Sequence, residues 1–69
     1  MIIKYFEDTD TLYVQFNQQA VAETKDLDEN TTLEMDQSGR LVGMTIEHAK
    51  RFTSVSDFSF EHILPKSAA

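Results

Sequence analysis

The chain has 69 residues, two histidines, no cysteine and a formal net charge of −6. It is therefore one domain at most, without disulfides or thiolate metal sites, and its acidity disfavours direct contact with nucleic-acid phosphates. A domain this short buries only about 60% of its unfolded surface, so self-association is the remaining route to a well-covered core.

Ile2 to Phe6 is apolar and β-prone and reads as a first strand. Glu7-Asp8-Thr9-Asp10 is a polar turn, since Asp side chains bond nearby backbone amides. Thr11 to Phe16 is a second strand, with Leu12, Val14 and Phe16 on one face and Tyr13 on the other. After the Asn17-Gln18-Gln19 turn, Ala20 to Lys25 is polar and poor in β formers, which fits an edge or irregular strand. A helix over 20–29 stays open as the alternative, although it has no clear apolar stripe. Asp26 to Asn30 is a loop.

Thr31 to Asp36 and Arg40 to Ile46 form the last two strands of the pattern. Asp36-Gln37-Ser38-Gly39 between them has Asp and Gly at the first and fourth positions of a type I turn, and a glycine of positive φ gives a three-residue hairpin loop. An unbroken ladder from this turn pairs Met35 with Leu41 and Leu33 with Gly43. It then sends Val42, Met44 and Ile46 to the opposite face. With Ile2 and Phe6 set against Ile3 and Tyr5 in the first strand, both faces of the sheet are expected to be apolar.

Glu47 to Phe52 suits a short helix, with Lys50 and Arg51 at its C-terminal end. Asp57 is placed to cap a last element over Phe58 to Leu64, ended by Pro65, whose periodicity fits a helix or a strand. The expected fold is α+β and mostly β: an antiparallel β-meander of four to five strands with one or two short C-terminal helices. It occupies residues 1–65, and 66–69 form a flexible tail.

Several segments together resemble a small, mainly bacterial family of domains of unknown function, DUF2283. They are Tyr5, Asp10 to Val14, Ala22-Glu23-Thr24, Met35 to Met44, and His48-Ala49. The sequence departs from the family pattern at Thr45, where an acidic residue is usual, and at Lys50, where a small hydroxyl residue is common. The resemblance implies a compact β-meander with a short helix and no enzyme activity. It also suggests an antitoxin-like role, because some relatives are thought to be encoded beside small basic toxin-like proteins.

The candidate sites are few. Asp8 and Asp10, and Asp26, Asp28, Glu29 and Asn30, offer oxygen donors to a hard cation, but the glycine and glutamate positions of a calcium loop are missing, which favours turn chemistry. His48 and His62 follow Glu47 and Glu61, but adjacent side chains do not face each other, and no nucleophile elbow, phosphate loop or H-E-x-x-H pair is present. Gly43 inside a strand implies a bulge, an aromatic ring such as Tyr13 laid across it, or a close-approaching partner. Tyr5, Phe6, Tyr13, Phe16, Phe52, Phe58 and Phe60 could stack nucleic-acid bases only on a basic surface, so core or interface packing is the better assignment.

No catalytic, cofactor or metal residue is therefore assigned. The expected function is a non-enzymatic acidic protein–protein interaction module, homodimeric, with a small basic protein as a further partner. A small-molecule or metal site using the turn carboxylates and His48 is the alternative. No apolar run is long enough to span a bilayer and the start of the chain has no signal-peptide pattern, so a cytoplasmic location is expected and no membrane partner.

Overall fold

The computed structural model describes residues 1–66. Five strands, β1 (Ile2–Phe6), β2 (Thr11–Gln15), β3 (Glu23–Asp26), β4 (Thr31–Met35) and β5 (Leu41–Glu47), form one sheet in the order β1-β2-β5-β4-β3. Every neighbouring pair is antiparallel. β1 and β2 are a hairpin, and β3, β4 and β5 are a meander. The expected simple meander is corrected at one step: β2 pairs with β5, and β3 lies at the far edge. Residues 16–22 make that crossing. Three inter-strand steps of about 4.8 Å total roughly 14 Å, which a stretch of this length spans easily. The amide of Phe16 donates to Val42 O at 2.7 Å and the amide of Ala22 to Met35 O at 2.8 Å, anchoring the crossing at both ends. β3 is a fully exposed edge strand, as its polarity implies, and no helix forms over 20–29.

The β4–β5 turn forms as expected. The Gly39 amide donates to Asp36 O at 3.0 Å and the Asp36 amide to Arg40 O at 2.9 Å, with Gly39 at φ 81°. Asp36 Oδ1 accepts from the Ser38 and Arg40 amides at 2.9 and 3.0 Å. A Cβ at Gly39 would meet nothing within 4 Å, so Gly39→Ala pays only for backbone strain. It should lower stability by about 1 kcal/mol, read as a shifted denaturant midpoint at constant slope.

Beyond this turn the register departs from the unbroken ladder. Met35 pairs with Leu41, but Glu34 pairs with Gly43 and Leu33 with Met44, because a β-bulge at Glu34/Met35 takes up one extra residue of β5. The slip exchanges faces for half of the hairpin. Leu33 and Met35 now share a face with Met44 and Ile46, instead of opposing them. Through the β2 pairings Leu12↔Ile46 and Val14↔Met44, and the β1 pairings Tyr5↔Leu12 and Ile3↔Val14, one continuous apolar face results. The other face presents Lys4, Thr11, Tyr13, Gln15, Thr24, Asp26, Thr32, Glu34, Thr45 and Glu47, with Ile2 and Phe6 only at the β1 edge. The expectation of two apolar faces is thus overturned for every strand but β1.

The expected helices are also corrected. The strand β5 runs on through Glu47, whose amide donates to Asn30 O at 2.7 Å. His48 then turns left-handed at φ 57°, and only a 3-10 turn, η1 (Ala49–Arg51), follows. Residues 58–64 form neither helix nor strand. A segment so short does not offset the cost of nucleating a helix without a surface to pack on. Of the tail assigned to 66–69, residues 67–69 lie outside the described residues.

Candidate functional site

At one end of the sheet, the β1–β2 turn, the β3–β4 turn and the end of β5 converge. Asp10 and His48 both sit in the left-handed region, at φ 54° and 57°. For residues other than glycine this conformation costs roughly 1 kcal/mol or more, and here the surrounding hydrogen bonds hold it. Asp10 O accepts from the Ala49 amide at 3.0 Å, and its carboxylate accepts from the Lys50 amide at 3.2 and 3.4 Å. Asp10 Oδ1 also accepts from the Tyr5 hydroxyl at 2.7 Å. His48 Nδ1 lies 2.9 Å from Asn30 Oδ1, an acceptor, so Nδ1 carries the hydrogen of this bond. The histidine therefore faces an amide and is oriented as a structural clasp between two turns.

The Tyr5 phenol is pushed up to about 12, first by its hydrogen bond to Asp10, then by burial and by the charges of Asp10 and Glu7. Its folded pKa exceeds its unfolded value of 10.0. The stabilisation is thus complete below about pH 10 and is lost as pH rises towards 12. Thermal melts of the wild type should show this alkaline loss, and Tyr5→Phe should remove that part of it.

The turn carboxylates do turn chemistry. Asp28 Oδ1 accepts from the Asn30 and Thr31 amides, both at 2.8 Å. The Asn30 backbone bond lowers the Asp28 pKa, with further lowering by Thr31 against an opposing effect of burial. Asp26 Oδ1 accepts from the Thr32 hydroxyl at 3.2 Å. Asp10, Asn30 and His48 are brought to one corner, whereas His62 lies on the exposed C-terminal segment. Among the described residues no three His, Asp or Glu side chains are grouped to hold a metal ion.

On the polar face, Tyr13 does lie over Gly43. A Cβ at Gly43 would stand 2.7 Å from the Tyr13 hydroxyl, 2.8 Å from Glu34 Oε1 and 3.1 Å from Val14 O. The Glu34 carboxylate, by hydrogen-bonding approach and then by its charge, together with burial, raises the Tyr13 pKa. The two groups meet off-line, however, and Glu34 Oε1 is shielded from water without a hydrogen bond of regular geometry. Gly43 thus carries both expected features, a bulge beside it and an aromatic across it.

The apolar face is the larger feature. Among the described residues no helix packs on it. Val42, 2% exposed, and Ala49 are the buried hydrophobic residues among those described. Leu12, Val14, Leu33, Met35, Met44 and Ile46 remain half-exposed. The segment after η1 touches only one side of the face: Val55 and Phe58 line a hollow with Ile3, Tyr5, Leu12 and Val14. Phe58 and Phe60 line another with Met1 and Ile3 at the outer edge. Val55, which falls between the elements expected over 47–52 and 58–64, is the residue of this set that only the tertiary structure identifies.

The chain exposes 5856 Å², against about 4,400 Å² for a compact monomer of its mass, an excess of roughly 1,400 Å². Its radius of gyration is 14.9 Å, where a compact domain of this length has about 11 Å. Among the described residues no helix is long and apolar enough to cross a membrane. A family model described as "Protein of unknown function (DUF2283)" matches residues 2–50. Neither curated proteins nor solved structures give a match.

Proposed function

We propose that this chain, which belongs to the DUF2283 family of proteins of unknown function, is a non-enzymatic interaction module that acts as a homodimer closed over its apolar sheet face. The bare face carries this reading. A contiguous apolar patch bounded by polar residues is rare on a monomer and marks an interaction surface. The excess surface of roughly 1,400 Å², to which the exposed C-terminal segment also contributes, leaves room for the ~800 Å² that each partner gives to a standard interface. A two-fold pairing is the commonest closed symmetry and needs only one self-complementary patch.

The corner residues support a structural role over catalysis. His48 is paired with an amide, and Asp10 is taken up by backbone amides and the Tyr5 hydroxyl in holding the turns together. In the dimer the polar face, with Glu34, Glu47 and Asp26, points outward. Together with the net charge of −6, it suits a small basic protein in an antitoxin-like or regulatory pairing.

Mass action tests the dimer. A hundredfold rise in protein concentration should raise Tm by about 5–10 °C, and a Tm independent of concentration contradicts it. The basic partner is tested by co-purification from the native host. It should recover a basic protein released by salt, and recovery of none contradicts this part.

A further inference from the structure

We infer that the C-terminal arm, residues 57–64, is exchanged between two copies of the chain, each arm lying on the β4–β5 half of the other's apolar face. This rests on the homodimer proposed above and names what covers the face. The arm is apolar and forms neither helix nor strand, and Phe58, Phe60, Ile63 and Leu64 are 68% to 79% exposed. Four large apolar side chains this open in one short segment are unusual, because each forgoes the burial that drives folding.

The direction of the arm decides whose face it serves. Val55 and Phe58 contact the β1–β2 side, and Phe60 then reaches Met1 and Ile3 at the outer edge of β1. The arm is thus leaving the sheet on the side opposite β4 and β5. It leaves Leu33, Met35, Met44 and Ile46 only half-buried on its own chain. A two-fold axis beside the apolar face sends each departing arm across the other copy, where those four residues are the open apolar surface. Both deficits, the bare half-face and the bare arm, are met by one symmetric contact. The opposite result, a basic protein on this half-face, would place charged groups against an apolar surface.

The test uses the full chain. Sedimentation equilibrium gives the mass, and isotope-filtered NMR on mixed labelled and unlabelled protein reads contacts between copies. The expected result is a dimer with intermolecular contacts from the Phe60 ring protons to the methyls of Leu33, Met35, Met44 or Ile46. A dimer whose Phe60 protons reach only its own chain overturns arm exchange and leaves the homodimer standing. A single-chain mass overturns both. As a second reading, Phe60→Ser combined with Ile63→Ser should weaken dimerisation by about 100-fold or more. Unchanged dimer affinity in that variant overturns the proposal.

Discussion

Met44→Glu will halve the particle mass at micromolar concentration. Met44 lies on the central strand β5, flanked by Val14 on β2 and Leu33 on β4. In one chain it is half-exposed, so a carboxylate there is hydrated and the fold of the sheet tolerates it. In the dimer the same carboxylate must lose its water. The cheapest response is to take up a proton, which from an ordinary Glu pKa near 4.3 costs about 3.7 kcal/mol at pH 7. Symmetry imposes this cost twice, for a total of roughly 7 kcal/mol against association. The sign with pH follows from the same account. Burial raises the carboxyl pKa, association then binds protons, and the variant dimer recovers as pH falls below about 5. Met44→Leu keeps the volume and should cost less than about 1.5 kcal/mol. Equal dimerisation of the wild type and Met44→Glu at neutral pH would show that the interface lies elsewhere.

Gly43→Val carries the second large effect, on the stability of the sheet itself. The first added carbon falls 2.7 Å from the Tyr13 hydroxyl and 2.8 Å from Glu34 Oε1, both far ends of side chains that can swing. It also falls 3.1 Å from Val14 O, which is backbone and cannot. A β-branched side chain adds more atoms in the same space beside the bulge. We expect a loss of about 3 kcal/mol for Val and about 1–2 kcal/mol for Ala, which loses part of the crowding but gains β-strand stiffness. For a domain of this size the Val variant lowers Tm by roughly 12–20 °C. Tyr13→Phe deletes the nearest obstructing atom, so the pair should show a coupling of about 1 kcal/mol in a double-mutant cycle. Additive effects would mean that the hydroxyl does not occupy that space.

These two residues also mark where the sequence was legible and where it was not. Asp36 and Gly39 specify their turn through local backbone chemistry, and the strand pairing next to them follows. Ile2 to Phe6 and Thr11 to Gln15 were readable for the same reason, since a short turn joins two β-prone runs. The polarity of Ala20 to Lys25 announces an edge strand, which forms over Glu23–Asp26. A bulge is one of the features that Gly43 implies, but the register drawn from the turn is an unbroken ladder and leaves it out. Its signal was nevertheless present: Leu33 and Met35 can share a face with Met44 and Ile46 only if β5 carries one extra residue, and a glycine inside a strand is where one is accommodated.

The β2–β5 pairing and the corner bond joining Asn30 to His48 are long-range relations that no local pattern encodes. The short helix at Glu47 failed on one backbone angle. His48 turns left-handed because Asn30 and Asp10 hold the chain there, overriding the helical preference of Ala49, Lys50 and Arg51. The argument for a partner survives, on a different footing. The sheet has one apolar face, not two, and among the described residues that face stays only half-buried.

Sedimentation equilibrium of the untagged chain at micromolar concentration, near neutral pH and moderate salt, tests the central claim most directly. A homodimer closed over the apolar face gives twice the 7.9 kDa chain mass. A mass of one chain across that concentration range would contradict it.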